Sequence, residues 1–327
     1  MTYGGNLYLV NEDLRLLVIN GKITAARREA AEFIPVLEEI RQIGEQTATV
    51  FNESINDLQQ TVLLTRLNQV AFQASLAVDL MDRNLYERAN DCRWWALTSA
   101  FRSLLTKPLD DQGRQQITDI LVYINDLYTV YTNLYVYDSD RVIIAVSNNQ
   151  QAAMVGQQAS LQSGAGTTLS MTNSQAYCVS SFAASDYYSN EFTYIYNAAI
   201  FAPEDHNQAI GGIGIVFDST PEFQAMLNDA LPKNDQGLPF NQSFGLFTDR
   251  SGNVIAATEN KEQIKAGDKI ELEDQHVQLQ AGQHEAHISH FDNERYLIGC
   301  AASEGYREYK TTGDYDNDVL ALIFMPV

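Results

Sequence analysis

Apolar and polar positions follow two different rhythms along this chain. Residues 6–24 alternate (Leu7, Leu9; Leu14, Leu16, Val18) around Asn11-Glu12-Asp13 and Asn20-Gly21, which predicts a short strand pair or a strand and turn. From about Thr24 to about Val130 apolar residues recur every three or four positions, as in Phe33, Ile34, Leu37, Ile40 and Ile43, the period of helices. Prolines are confined there to Pro35 and Pro108, and only five of the nineteen glycines lie in the first 150 residues. We therefore expect three or four long helices, with breaks at Gly44 and across Lys107–Gly113.

From Thr132 the period becomes that of strands. Leu134–Asp138, a polar turn, and Val142–Ser147 form a hairpin pattern. The layout returns in Phe244–Asp249 and Val254–Thr258, again with an aspartate ending the first strand and a Val-Ile-Ala core in the second. Phe192–Ile200 likewise matches Arg295–Ala302, and Gly212–Phe217 matches Asp318–Pro326. A repeat of supersecondary units is stronger than any single propensity. The expected organisation is an N-terminal strand pair and helix over 1–44, a long helical region over 45–131, and two copies of one antiparallel α+β module over 132–231 and 240–327. Pro232, Lys233, Asn234, Asp235, Gln236, Gly237 and Pro239 make the connector.

Charge narrows the partners. With 42 acidic and 21 basic residues the formal charge is −21, which argues against nucleic acid or an anionic membrane surface as partner. No window reaches the eighteen or more apolar residues of a membrane helix, and Met1-Thr-Tyr-Gly-Gly-Asn6 has no signal-peptide pattern. Cys92, Cys178 and Cys300 are odd in number and widely spaced, so neither a disulfide framework nor a cysteine zinc site is expected. The expected place is the cytoplasm, or the periplasm if the chain has been trimmed of membrane helices.

Candidate chemistry concentrates between Tyr177 and Asp218. Tyr177, Tyr187, Tyr188, Tyr194 and Tyr196 fall within twenty residues, and tyrosine joins a broad apolar face to a hydroxyl that needs a partner when buried. Such a cluster suits a pocket for a small polar organic molecule, and equally a half-buried antiparallel sheet. The expected ligand-binding set is Tyr177, Ser180, Ser181, Asp186, Tyr188, Tyr194, Tyr196 and Asp218. Tyrosines would form the walls, Asp186 or Asp218 would accept hydrogen bonds, and strand alternation puts Tyr194 and Tyr196 on one face.

A long helical lead-in followed by two tandem PAS-like units, each opening on a strand-Asp-turn-strand hairpin, resembles the double Cache sensory module of bacterial signalling proteins. Asp82-Arg-Asn-Leu-Tyr-Glu-Arg-Ala-Asn-Asp-Cys-Arg-Trp-Trp95 is similar to stretches in Cache-bearing chemoreceptors and diguanylate cyclases. The resemblance spans roughly residues 45–327. It implies a five- or six-stranded antiparallel sheet per module along a long helix, a ligand in the first module, and relay by the second. It also implies a homodimer and an output domain or partner. The Arg-x-Trp-Tyr-type motif of amino-acid sensors is absent, because Gly156–Phe217 contains neither arginine nor tryptophan. Only Asp218 matches a position such sensors use, for an ammonium group. A carboxylate ligand would then need backbone N–H groups, or Arg88 or Arg93 from the helices.

Other features read as structure. Arg83, Glu87 and Asp91 at four-residue spacing, followed by Trp94-Trp95, suit a core helix with Arg88 or Arg93 paired to a carboxylate. His284, His287 and His290 fall on what reads as a strand, where His284 and His290 share a face and His287 points away, a poor arrangement for three metal ligands. Glu304–Asp318 reads as a polar loop with Gly305, Gly313 and Asn317 at its turns. No GxSxG, P-loop or HExxH motif occurs, so no enzyme, metal or cofactor is expected. The sensing reading has one rival, a free-standing binding or scaffold protein presenting paired modules to a partner.

Overall fold

The computed structural model describes residues 3–28, 30–205, 207–306 and 317–327. The chain divides into two compact units, residues 1–66 and 67–327.

In the first unit, helix α1 (Tyr3–Arg27) and the start of helix α2 (Ile34–Ala96) form an antiparallel hairpin through a 3-10 turn at Ala31–Phe33. The strand pair expected over residues 6–24 is absent, and helix stands in its place. Among the side chains described there, Val18 and Ala25, two helical turns apart, are the buried ones, so the helical period decided the outcome. Gly21 is not a turn residue. A Cβ there would stand 3.1 Å from Leu37 of α2, so the glycine lets the helices approach. A Cβ on Gly44 would likewise stand 2.3 Å from Leu14, and α2 runs through that glycine without the expected break. Ion pairs of Lys22 with Glu38 and of Arg15 with Glu45 (3.4 Å) tie the two helices along their polar edges.

In the second unit, α2 is followed by α3 (Ser99–Leu104) and α4 (Asp111–Leu127), so the expected break at Lys107–Gly113 is present. Asp110 caps α4, its Oδ1 accepting from Gly113 N at 2.8 Å. Gly113, Ile117 and Leu121, four apart, form the buried stripe of α4, which covers the first hairpin.

That hairpin is β1 (Tyr131–Asp138) and β2 (Ile143–Val146). Helix α5 (Ala165–Leu169), strand β3 (Cys178–Val179), a ribbon of β4 (Ala183–Ser185) and β5 (Glu191–Thr193), β6 (Ile195–Phe201), β7 (Ala209–Phe217) and helix α6 (Ser219–Ala230) follow. The second module contains β8 (Phe244–Asp249), β9 (Val254–Ala257), α7 (Asp274–Gln278), β10 (His284–Phe291), β11 (Glu294–Ala302) and β12 (Val319–Pro326). Both sheets have five antiparallel strands in one order, β2-β1-β7-β6-β3 and β9-β8-β12-β11-β10.

The repeat extends to single atoms. Asp138 Oδ1 accepts from the backbone N–H of Asp140 and Val142, and Asp249 Oδ1 accepts from Ser251 and Asn253. Arg141 and Gly252, which close these turns, both have positive φ, at 64° and 82°. Ser147 and Thr258 each use a side-chain oxygen to accept from the first strand, from Leu134 N and Gly245 N. The correspondence holds at one constant offset through Ala159 and Ile270, whose N–H groups donate to Arg141 O and Gly252 O.

Helix α2 joins the modules. Gly299 of β11 lies against its backbone, where a Cβ would be 2.1 Å from Val70 O. Further along, the buried Asp82 carboxylate accepts from Ser303 Oγ at 2.6 and 2.7 Å and from Asn317 Nδ2 at 3.1 Å. At the first module Tyr131 Oη donates to Asp91, and the Arg88 guanidinium lies 5.2 Å from the Tyr131 ring and 5.6 Å from the Phe217 ring. The loop expected over Glu304–Asp318 falls largely outside the described residues, Gly313 included. Gly305 has the positive φ of a turn, at 74°.

Candidate functional site

The interior of the first module begins with alternation on β1. Tyr135 and Tyr137 point to one side and are fully buried. Their rings need room on the neighbouring strand, and β7 provides it with Gly214 and Gly212 in register. A Cβ on Gly214 would lie 2.1 Å from Tyr135 Cζ, and one on Gly212 would lie 2.3 Å from Tyr137 Oη. Both hydroxyls donate to Asn197 Oδ1 on β6, at 3.4 and 3.2 Å, while Asn197 Nδ2 donates to Ser163 O at 2.6 Å. Tyr187 meets Tyr135 edge to face at 5.4 Å, and its hydroxyl accepts from Ser160 N at 2.9 Å. Burial raises the pKa of the Tyr187 phenol, so the group is neutral and able to donate.

Over this layer lies a cavity of about 430 Å³, lined by serines (Ser160, Ser163, Ser180, Ser181, Ser185), Gln162, Asp186, Tyr187, Thr193 and Ile195, with Ala183 and Ala184 at the ribbon. None of the lining groups is a cation. Ser180 is anchored by its N–H donating to Ile195 O and its Oγ accepting from Ile195 N, both at 2.9 Å.

Of the residues expected from the sequence, Ser180, Ser181 and Asp186 line this cavity. Tyr188 and Asp218 are brought together elsewhere, the Tyr188 hydroxyl donating to Asp218 Oδ1 at 2.5 Å. Burial, and next this carboxylate, pushes the Tyr188 phenol up to about 12. Asp218 therefore already has a protein partner for that oxygen.

Tyr194 and Tyr196 do share a face, but not the one that lines the cavity. Thr193 and Ile195 face the cavity, so alternation turns Tyr194 and Tyr196 the other way. The Tyr194 ring packs 5.0 Å from Phe182 and 6.3 Å from Phe223 of α6, and Tyr196 is fully buried. Tyr177 instead lies with α2, its ring 5.3 Å from the Arg93 guanidinium. Arg88 is a buried structural cation, 3.6 Å from Asp91 and 3.5 Å from Glu87, as the helical pattern implied.

Tyr135, Tyr137, Tyr187 and Asn197 were not in the expected set. The sequence carries one signal for the first two, the match of Tyr-x-Tyr in β1 with Gly-x-Gly in β7. In the second module the same sheet positions carry Leu246 and Thr248 opposite Leu322 and Leu320, with Cys300 at the place of Asn197. Its own cavity, of about 610 Å³, is lined by aliphatic and phenylalanine side chains and by Glu271, Glu273, Asp274, His276, Ser289, His290 and Asp292. His284, His287 and His290 lie on strand β10 as expected, with His284 and His290 exposed and His287 half-buried.

No family model matches the chain, and no curated protein matches it by sequence. Solved structures do match its fold. The sensor domain of the histidine kinase DctB from Vibrio cholerae is 14% identical at a TM-score of 0.54, covering 82% of this chain and 98% of that one. The ligand-binding domain of the Campylobacter jejuni chemoreceptor Tlp3, solved with L-valine, is 14% identical at a TM-score of 0.55, covering 82% and 95%. The extracellular domain of a putative histidine kinase, rpHK1S-Z16, is 9% identical at a TM-score of 0.52, covering 83% and 96%. The fold is that of sensor domains of bacterial signalling proteins. The two repeated five-stranded antiparallel modules expected from the hairpin repeat are present.

Proposed function

We propose that this chain is a ligand-sensing module whose first repeat takes a small polar organic molecule in the cavity beside Tyr187. One observation carries this reading. Two repeats with the same strand order and the same hairpin bonds differ on their inner faces. The first has tyrosine, asparagine and glycine where the second has leucine, threonine and cysteine. A buried polar layer is costly unless its groups are paired, so its retention in one copy favours a binding role there.

The lining selects the ligand class. Asp186 and the serine hydroxyls favour a molecule rich in hydroxyl or amino donors, uncharged or cationic. The L-valine held by the chemoreceptor domain above combines an ammonium with a carboxylate. In this cavity the ammonium has a partner and the carboxylate has no cation, so a plain amino acid is disfavoured. Binding would draw the β4–β5 ribbon inward and bias α2, which touches both sheets. In a homodimer that helix would carry the change to an output domain beyond this chain. A ligand does so only by binding one arrangement better than the other. Likeness to an extracellular kinase domain favours the periplasmic side over the cytoplasm.

Calorimetric titration of an amine- or hydroxyl-bearing hit from a metabolite screen tests this. Asp186→Asn, at an exposed position, is expected to keep the fold and weaken an amine about tenfold or more, while Tyr194→Phe leaves affinity unchanged. The converse pattern would place the site on the other face of β6.

A further inference from the structure

The second module contains a cluster that sensing in the first does not use. His276 lies on α7, Glu273 immediately precedes that helix, and His287 is on β10. One ligand atom from each lies within 4.8 Å of the others. His276 is 3% exposed, yet neither of its ring nitrogens has a hydrogen-bond partner among the described residues. Unmade hydrogen bonds on a buried ring are costly and uncommon, and they point to a partner that the polypeptide does not supply.

The spacing suggests what that partner is. His287 Nε2 is 3.2 Å from Glu273 Oε2, and the two imidazole rings are 5.0 Å apart between centroids. Two donors held about 2.0–2.1 Å from one zinc ion at the tetrahedral angle are about 3.3 Å apart. We propose that Glu273, His276 and His287 form a binding site for a divalent transition metal of the zinc class. Two imidazoles with one carboxylate are the donor set that such ions prefer, whereas magnesium and calcium prefer oxygen alone. Three protein ligands leave a fourth position, which opens on the cavity beside Ser289 and Phe291. The exposed His284 and His290 take no part.

The site takes only His287 from the His284-x-x-His287-x-x-His290 run and draws its other two ligands from the segment just before it, so that spacing does not reveal it. It gives the second module an input of its own, independent of the first-module cavity.

The test uses the untagged chain, stripped with a chelator, titrated with Zn²⁺ by calorimetry and with Co²⁺ by visible absorption. The expected result is a single equivalent of Zn²⁺ and the intense visible bands of four-coordinate cobalt. His287→Gln and Glu273→Gln should each weaken Zn²⁺ by more than about tenfold, while His284→Gln leaves it unchanged. These variants carry the test because both side chains are partly exposed, whereas loss of His276 opens the core. Absence of stoichiometric binding by the wild type would overturn the site. So would affinity unchanged in both His287→Gln and Glu273→Gln, which would place the ion among surface carboxylates.

Discussion

The ring of Tyr135 lies over Gly214 on the neighbouring strand, so closely that a single methyl group on that glycine would stand 2.1 Å from Cζ. The tyrosine layer under the cavity exists because β7 leaves space for it. Gly214→Ala is expected to lower the unfolding free energy by about 1–3 kcal/mol through overpacking. Tyr135→Leu in the same chain should relieve the clash, so that chemical denaturation shows the double variant costing less than the sum of the singles.

Asp138 and Asp249 play the same part in the two hairpins. Each side chain accepts two backbone N–H bonds, so Asp138→Ala and Asp249→Ala should destabilise their modules by similar amounts, about 1–3 kcal/mol each. Amide hydrogen exchange checks this, since each variant should speed exchange in its own hairpin and spare the other.

Asp82 gives a pH dependence whose sign can be stated. Burial raises its carboxyl pKa, against the bonds from Ser303 and Asn317 that lower it. A carboxyl raised on folding binds its proton more tightly in the folded chain. Its contribution is therefore present below the ordinary carboxylate range and lost as pH rises through the raised folded value. The destabilisation caused by Asp82→Asn, measured by urea unfolding, should be smaller at neutral pH than near pH 4.

Arg88 is nearly buried, lies against the Tyr131 and Phe217 rings, and faces Asp91. Arg88→Met should cost about 3 kcal/mol by leaving Asp91 without its cation. Ligand affinity in the folded fraction should be unaffected, which calorimetry would show.

The repeat was legible in the sequence because the Asp138 and Asp249 turns and the flanking apolar strands place the same residue types at one spacing. The N-terminal helix was not, because Leu14, Leu16 and Val18 fit an alternating pattern locally, and its helical stripe emerges only through Val18 and Ala25. The cavity face of β6 was hidden for a different reason. Every residue from Ile195 to Phe201 is buried, so the strand shows no polar and apolar alternation to tell inside from outside. Tyr194 and Tyr196 thus read as pocket walls, while Ile195 beside them holds that position. Ser180, Ser181 and Asp186 were legible because they sit in a polar stretch between strands, where a cavity rim is built.

The central claim is that a small molecule binds in the first-module cavity, and a thermal-shift screen of polar metabolites on the wild type and on Ala184→Trp tests it most directly. Ala184 is exposed on the ribbon and lines the cavity, so the indole fills the space without disturbing the core. The account predicts that a hydroxyl- or amine-bearing compound raises the wild-type unfolding temperature and leaves Ala184→Trp unmoved. A compound that shifts both equally, or a screen in which no polar compound shifts the wild type, would contradict it.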